Sequence, residues 1–258
     1  MTPLRTHLEE LVRGGHKLLV PYLMAGIPDR DSFAQALAAV SEHADAVELG
    51  LPFSDPLMDG PVIAEAAQRA LRAGVGPLDA LKAAAPSDGA PPRIAMTYYN
   101  PIHRTGEAEF CSRAASAGIA GLIVPDLPVE ESESLRDAAA AAGLAWIPLV
   151  APTSPPDRVK AITETATGFV YAVSTLGVTG TREQLSERAA RVVAACRDAT
   201  DAPVLVGIGV SSPGHAVEAA ASADGVVIGT AVVRLVLEEG AGPAGAFLAE
   251  VRAALDAL

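Results

Sequence analysis

Short, nearly unbroken apolar runs recur along this chain, and alanine-rich segments of helical spacing separate them. The runs are Lys17–Leu23, Ala46–Leu49, Arg93–Thr97, Gly121–Val124, Ala145–Val150, Phe169–Val173, Val204–Gly207 and Gly225–Ile228. A strand apolar on both faces must be covered on both faces, which is the condition of a parallel sheet wrapped in helices. Helical spacing falls on Ser32–Glu42, Val62–Ala73, Glu107–Ala117, Glu130–Ala142, Pro156–Thr165, Gln184–Arg197 and Gly214–Ala221. Pro128 ahead of Glu130 and Glu131 reads as a helix start, and Gly118 and Gly143 as residues that close helices. An extra amphipathic helix, Leu4–Arg13, precedes the first strand, and a helical tail, Pro243–Leu258, ends the chain. Eight such alternations predict an α/β fold, a (β/α)₈ TIM barrel with an extra N-terminal helix, as one domain over 1–258. An open doubly wound sheet would want a glycine-rich turn after the first strand, where this chain has Met24-Ala25-Gly26-Ile27-Pro28. Gly207-Ile208-Gly209 lacks the third glycine of a dinucleotide turn.

Charge narrows the range of partners. Lys and Arg total 19 against 31 Asp and Glu, a net charge of −12. That argues against a broad nucleic-acid or anionic-membrane footprint. It leaves room for a local anion site built from backbone amides. Cys111 and Cys196 form no CxxC pair, and the five histidines have no ligand spacing, so no metal site is expected. No apolar run is long enough to span a bilayer, and the reading is a reduced, cytoplasmic protein.

In a barrel the chemistry sits where strands end. Glu48 lies near the end of the apolar second strand, where burial raises a carboxyl pKa towards neutrality and suits it to proton transfer. Pairing with a basic group at the rim would be its structural use. The loop Pro52–Pro61 brings Asp55 and Asp59 among three prolines and a glycine. Two carboxyls in different surroundings can divide acid and base roles, although Asp59 could equally cap the next helix. Glycines follow the last three strands, in Leu176–Gly180, Gly207–Ser211 and Ile228–Ala231. They let amides approach a phosphate closely, with a helix start at Thr230 aimed at it; close loop packing is the other reading. Tyr22, Tyr98 and Tyr99 lie at or just past strand ends, where a flat ligand could stack or a core could simply fill, and Tyr171 lies within the sixth strand.

The stretch Val47-Glu48-Leu49-Gly50-Leu51-Pro52-Phe53-Ser54-Asp55-Pro56-Leu57-Met58-Asp59-Gly60-Pro61 resembles the signature of the tryptophan synthase α subunit family. The resemblance continues through Met96–Pro101, Pro125–Glu131, Gly177–Gly180, Gly207–Ser211 and Ile228–Ala231, in order over the whole chain. It implies a lyase of tryptophan biosynthesis that cleaves indole-3-glycerol phosphate by a retro-aldol reaction, giving indole and glyceraldehyde 3-phosphate without metal or organic cofactor. It puts the catalytic acids on Glu48 and Asp59, and a contact to a β subunit, in an α₂β₂ assembly, on Asp55. Tyr171 matches a tyrosine near the glycerol part, and Tyr22 a position of the indole pocket that is phenylalanine in many members. Together with Tyr98, Gly180, Gly207, Gly209, Gly229 and Thr230 these make the expected substrate site. Met24, Ala25, Met58 and Thr230 depart from the common family residues. A stand-alone lyase releasing free indole would carry the same catalytic residues. An inactive activator of a β partner would not need the two acids. A barrel that closes the indole ring would use a lysine, and Lys17, Lys82 and Lys160 do not end strands.

Overall fold

The computed structural model describes the chain except for residues 88, 174–181 and 208, and gives only the backbone of 182–186. Its strands are β1 (Leu18–Met24), β2 (Val47–Gly50), β3 (Arg93–Met96), β4 (Ile119–Ile123), β5 (Ala145–Trp146), β6 (Leu149–Val150), β7 (Val170–Val173), β8 (Val204–Gly207) and β9 (Gly225–Ile228). Helices α1 (Pro3–Arg13), α2 (Phe33–Ser41), α3 (Pro61–Arg72), α4 (Pro77–Ala83), α5 (Tyr99–Thr105) and α6 (Glu107–Ser116) belong to the first half. In the second half are α7 (Glu133–Ala141), α8 (Pro156–Thr163), α9 (Arg182–Arg197), α10 (Pro213–Ala220), α11 (Thr230–Glu238) and α12 (Ala241–Leu255).

All pairings are parallel, in the order β5-β4-β3-β2-β1-β9-β8-β7-β6. The two ends of that order are successive pieces of one segment. The expected strand Ala145–Val150 is divided by Ile147-Pro148, because proline has no N–H to give a ladder. Its first piece pairs with β4 and its second with β7, which closes the barrel.

Side chains fill the barrel in layers. Leu18, Val20, Ile94, Ile123, Ile147, Phe169, Leu205 and Val227 form the inner cluster, and Leu4 and Leu8 of α1 plug its lower end. Large residues are set beside glycines. Tyr22 lies over Gly50 and Tyr171 over Gly207, where a Cβ on either glycine would collide with the ring. A second apolar cluster lies between barrel and helices.

Among the helices, too, the structure departs from the sequence reading. The helix expected from Glu130 starts at Glu133, after a 3₁₀ turn over Val129–Glu131. There Glu131 N–H reaches the Pro128 carbonyl at 3.0 Å and the Ser132 hydroxyl donates to the Val129 carbonyl at 2.8 Å, which tightens the turn. Helices α4 and α5 are additional to the segments of helical spacing, and each carries proline near its start, a position helices accept. Gly118 and Gly143 do close helices, with φ of +79° and +78°. No helix among the described residues is long and apolar enough to cross a membrane.

Candidate active site

Glu48 points into the upper barrel from β2, in register with Tyr22 on β1 and Ile94 on β3. It is 1% exposed, and its Oε2 has no hydrogen-bond partner. Burial, reinforced by the negative charge of Asp59, pushes its carboxyl up to about 8. No cation among the described residues pairs with it, so the rim ion pair is not seen there. At neutral pH it is predominantly a protonated acid.

Asp59 comes from the loop that follows β2. Leu51 N–H bonds the Met96 carbonyl at 2.8 Å, and Asp59 N–H bonds the Pro56 carbonyl at 3.1 Å. The loop is held from outside by Tyr98. Phe53 stacks on its ring at 5.2 Å, and Met58 N–H donates to its hydroxyl at 2.9 Å. Burial raises the Asp59 carboxyl to about 6, against a hydrogen bond from Tyr98 that pulls it down. Gly60, not Asp59, is the N-cap of α3, which removes the capping alternative. Tyr98, expected among the tyrosines that face a ligand, is engaged with this loop. Phe53 was not singled out in the sequence. Asp55 is exposed and accepts from the Ser54 hydroxyl at 2.5 Å.

Tyr22 and Tyr171 are both held well above the ordinary phenol range, by burial first and then by the two acids. Both are therefore neutral O–H groups. Met96 lines the same cleft and was also missed. The period-two alternation from inward Ile94 would have found it.

The expected anion-binding glycines separate. Gly180 lies outside the described residues. The open face of Gly207 is taken by Tyr171. A Cβ on Gly209 would meet nothing within 4 Å, and one on Gly229 would meet only Tyr22 Cβ at an ordinary 3.6 Å. Among the described residues nothing packs closely enough on either position to require glycine, and Gly229 has a φ of −103°. Gly229 is the N-cap of α11, whose first residue is Thr230, and no side chain caps it. The start of α10 is already occupied, because Ser212 accepts from His215 N–H at 3.3 Å. Of the two helices that follow β8 and β9, α11 is the one whose first turn carries no side-chain cap among the described residues.

A cleft of about 740 Å³ opens above these groups, lined by Met58, Asp59, Met96, Tyr171 and Gly207. No cluster of metal-ligating side chains occurs among the described residues. The arrangement offers a protonated carboxyl, an ionised carboxylate in partly dry surroundings, and free amides at one rim. These are the requirements for proton transfer on a substrate anchored by an anionic tail.

Comparison with known proteins shows the family. The family described as "Tryptophan synthase alpha chain" matches residues 8–254. The tryptophan synthase alpha chain of Microcystis aeruginosa is 45% identical over 238 residues, covering 91% of this chain and 90% of that one. That of Methanocaldococcus jannaschii is 42% identical, with 88% and 82% covered. A structure of Mycobacterium tuberculosis tryptophan synthase has a TM-score of 0.90 at 39% identity, covering 98% of each chain. Tryptophan synthase subunit alpha from Legionella pneumophila also has a TM-score of 0.90, at 31% identity over all of both chains.

Proposed function

The chain belongs to the tryptophan synthase alpha chain family, whose reaction is the cleavage of indole-3-glycerol phosphate, and we propose that Glu48 and Asp59 perform that cleavage. The observation that carries this reading is the pair of unlike carboxyls, Glu48 raised to about 8 and Asp59 to about 6. Near neutral pH the first holds a proton and the second has lost one.

That difference orders the reaction. Glu48 donates its proton to indole C3, and the positive charge that develops reaches the ring nitrogen. Asp59 stabilises the charge through the indole N–H. The ionised Glu48 then takes the proton of the hydroxyl on the adjacent carbon. The oxygen lone pair becomes the aldehyde carbonyl, the carbon–carbon bond breaks, and its electrons restore the indole ring. Glu48 ends protonated, ready for another turnover. The phosphate is held by amides at Gly209, Gly229 and Thr230, which fixes the scissile bond between the acids. Tyr22 and Tyr171 flank the substrate and Tyr98 positions Asp59. The chain acts as one barrel domain over 1–258 in the cytoplasm.

The partner in this reading is a tryptophan synthase β subunit that docks on the loop carrying Asp55. Leu57 is 92% exposed and Met58 52% exposed there, apolar surface that a docked protein would cover. Pressure on this loop reaches Asp59 through Met58 and Tyr98.

The test is steady-state cleavage of indole-3-glycerol phosphate by Glu48→Gln and Asp59→Asn, alone and during titration with the cognate β subunit. Losing an acid–base group costs about 10²–10⁴ in rate. Wild-type turnover in Glu48→Gln would remove its role. A silent Asp59→Asn beside a crippled Asp55→Asn would put the second role on the wrong loop acid. Full activity without a complex at micromolar concentration would overturn the partner assignment.

A further inference from the structure

The cleft above the acids does not end at the barrel mouth. It continues outward past Pro148 to Val129, Trp146, Arg158 and Ile162. Two features of the chain open this extension. The strand break at Ile147-Pro148 interrupts the wall between β5 and β6. Helix α7 packs on α6, and α8 on α9, while α7 and α8 share at most a marginal contact. Trp146 belongs to the apolar cluster outside the barrel, not to the inner one, and is 5% exposed. The outer end therefore has an apolar, aromatic floor.

Its two banks carry opposite charges. Arg158 on α8 reaches Glu130 on the 3₁₀ turn with two bonds, of 2.7 and 3.1 Å. Both side chains are about half exposed, 44% and 55%. An exposed pair of this kind contributes little, so parting it costs little. A ligand that brings its own positive and negative groups would replace one ion pair with two. A ligand with only one charge would leave either Arg158 or Glu130 without a partner. Charge and floor together select a zwitterion that carries a flat ring.

We propose that the outer end of the cleft binds an aromatic α-amino acid, its ring against Trp146, Val129 and Ile162, its carboxylate on Arg158 and its ammonium on Glu130. The site is continuous with the chamber lined by Asp59. An occupant there stands beside the catalytic cleft without touching Glu48. This assignment rests on the groove and its banks and is independent of the roles proposed for the two acids.

Trp146 is the only tryptophan in the chain, so its emission reports the site directly. The experiment titrates the whole protein with L-phenylalanine, following Trp146 emission and the heat of binding. Phenylalaninamide, which lacks the carboxylate, and 3-phenylpropionate, which lacks the ammonium, are titrated alongside. The expected result is saturable binding at millimolar concentration or below that both analogues lose. Arg158→Gln and Glu130→Gln, both at exposed positions, should each weaken it about two- to fivefold, the effect that an exposed ion pair carries. Absence of saturation would overturn the proposal. So would equal binding of either analogue, or unchanged affinity in both variants.

Discussion

Met58 donates its backbone N–H to the Tyr98 hydroxyl at 2.9 Å, and through that bond the loop carrying Asp59 is tied to the segment that follows β3. The same hydroxyl faces the Asp59 carboxylate and lowers its pKa. One phenol thus sets both the place and the protonation of the acid, while its ring rests on Phe53.

Tyr98→Phe separates those functions, since it keeps the ring stack and removes the hydroxyl. Turnover should fall about tenfold, with Asp59 held less firmly. The acid limb of the pH–rate profile should move upward, because the group that pulls the Asp59 pKa down is gone. A merely structural role would lower activity without moving that limb. The profile of kcat/KM against pH distinguishes the two.

The wild-type profile itself should be bell-shaped. Asp59 must be ionised and Glu48 protonated, so the limbs should lie near about 6 and about 8. Because the two acids interact, the measured values belong to the pair. A flat profile between those limits and well beyond them would contradict the proposed ordering of proton transfers.

Stability should depend on the same group. The folded pKa of Glu48 is raised from 4.5 to about 8, so its carboxyl favours the folded state while protonated. That contribution is complete below about 4.5 and is lost as pH rises through about 8. Glu48→Gln cannot ionise and should lack this decline. At pH near 9 it should be more stable than wild type by an amount on the order of 5 kcal/mol, with little difference at low pH. Denaturant unfolding at the two pH values measures it.

Gly229→Ala and Gly209→Ala probe the anion site. The fold has room for either methyl group. Melting temperature should stay near wild type, whereas affinity for glycerol phosphate should drop, because the methyl stands where the phosphate must approach the amides. Calorimetric titration with glycerol phosphate reads this. Unchanged affinity in both variants would move the phosphate elsewhere.

Much of the architecture was legible because it rests on local periodicity. Runs such as Val204–Gly207 and Gly225–Ile228 match β8 and β9 in extent. The placement of Glu48 near a strand end was legible for the same reason. Elements opened by proline were less so, since Gly76-Pro77 and Asn100-Pro101 are written alike in loops and in first helical turns. The Phe53–Tyr98 stack joins residues 45 positions apart, and no local pattern marks it.

The sequence by itself determined the βα alternation, the strand ends where chemistry gathers, and the kinds of group present there. Tertiary structure decided what each group does. Glu48 becomes an acid of about 8 because barrel closure buries it beside Asp59, with no cation paired to it among the described residues. Gly50 and Gly207 are glycines for the rings of Tyr22 and Tyr171, whereas Gly209 and Gly229 have no such neighbour to satisfy. Tyr98 holds the loop that carries Asp59. Residue type and spacing are written along the chain, but dielectric, charge neighbours and free space are properties of the assembled surroundings, and these set pKa and access.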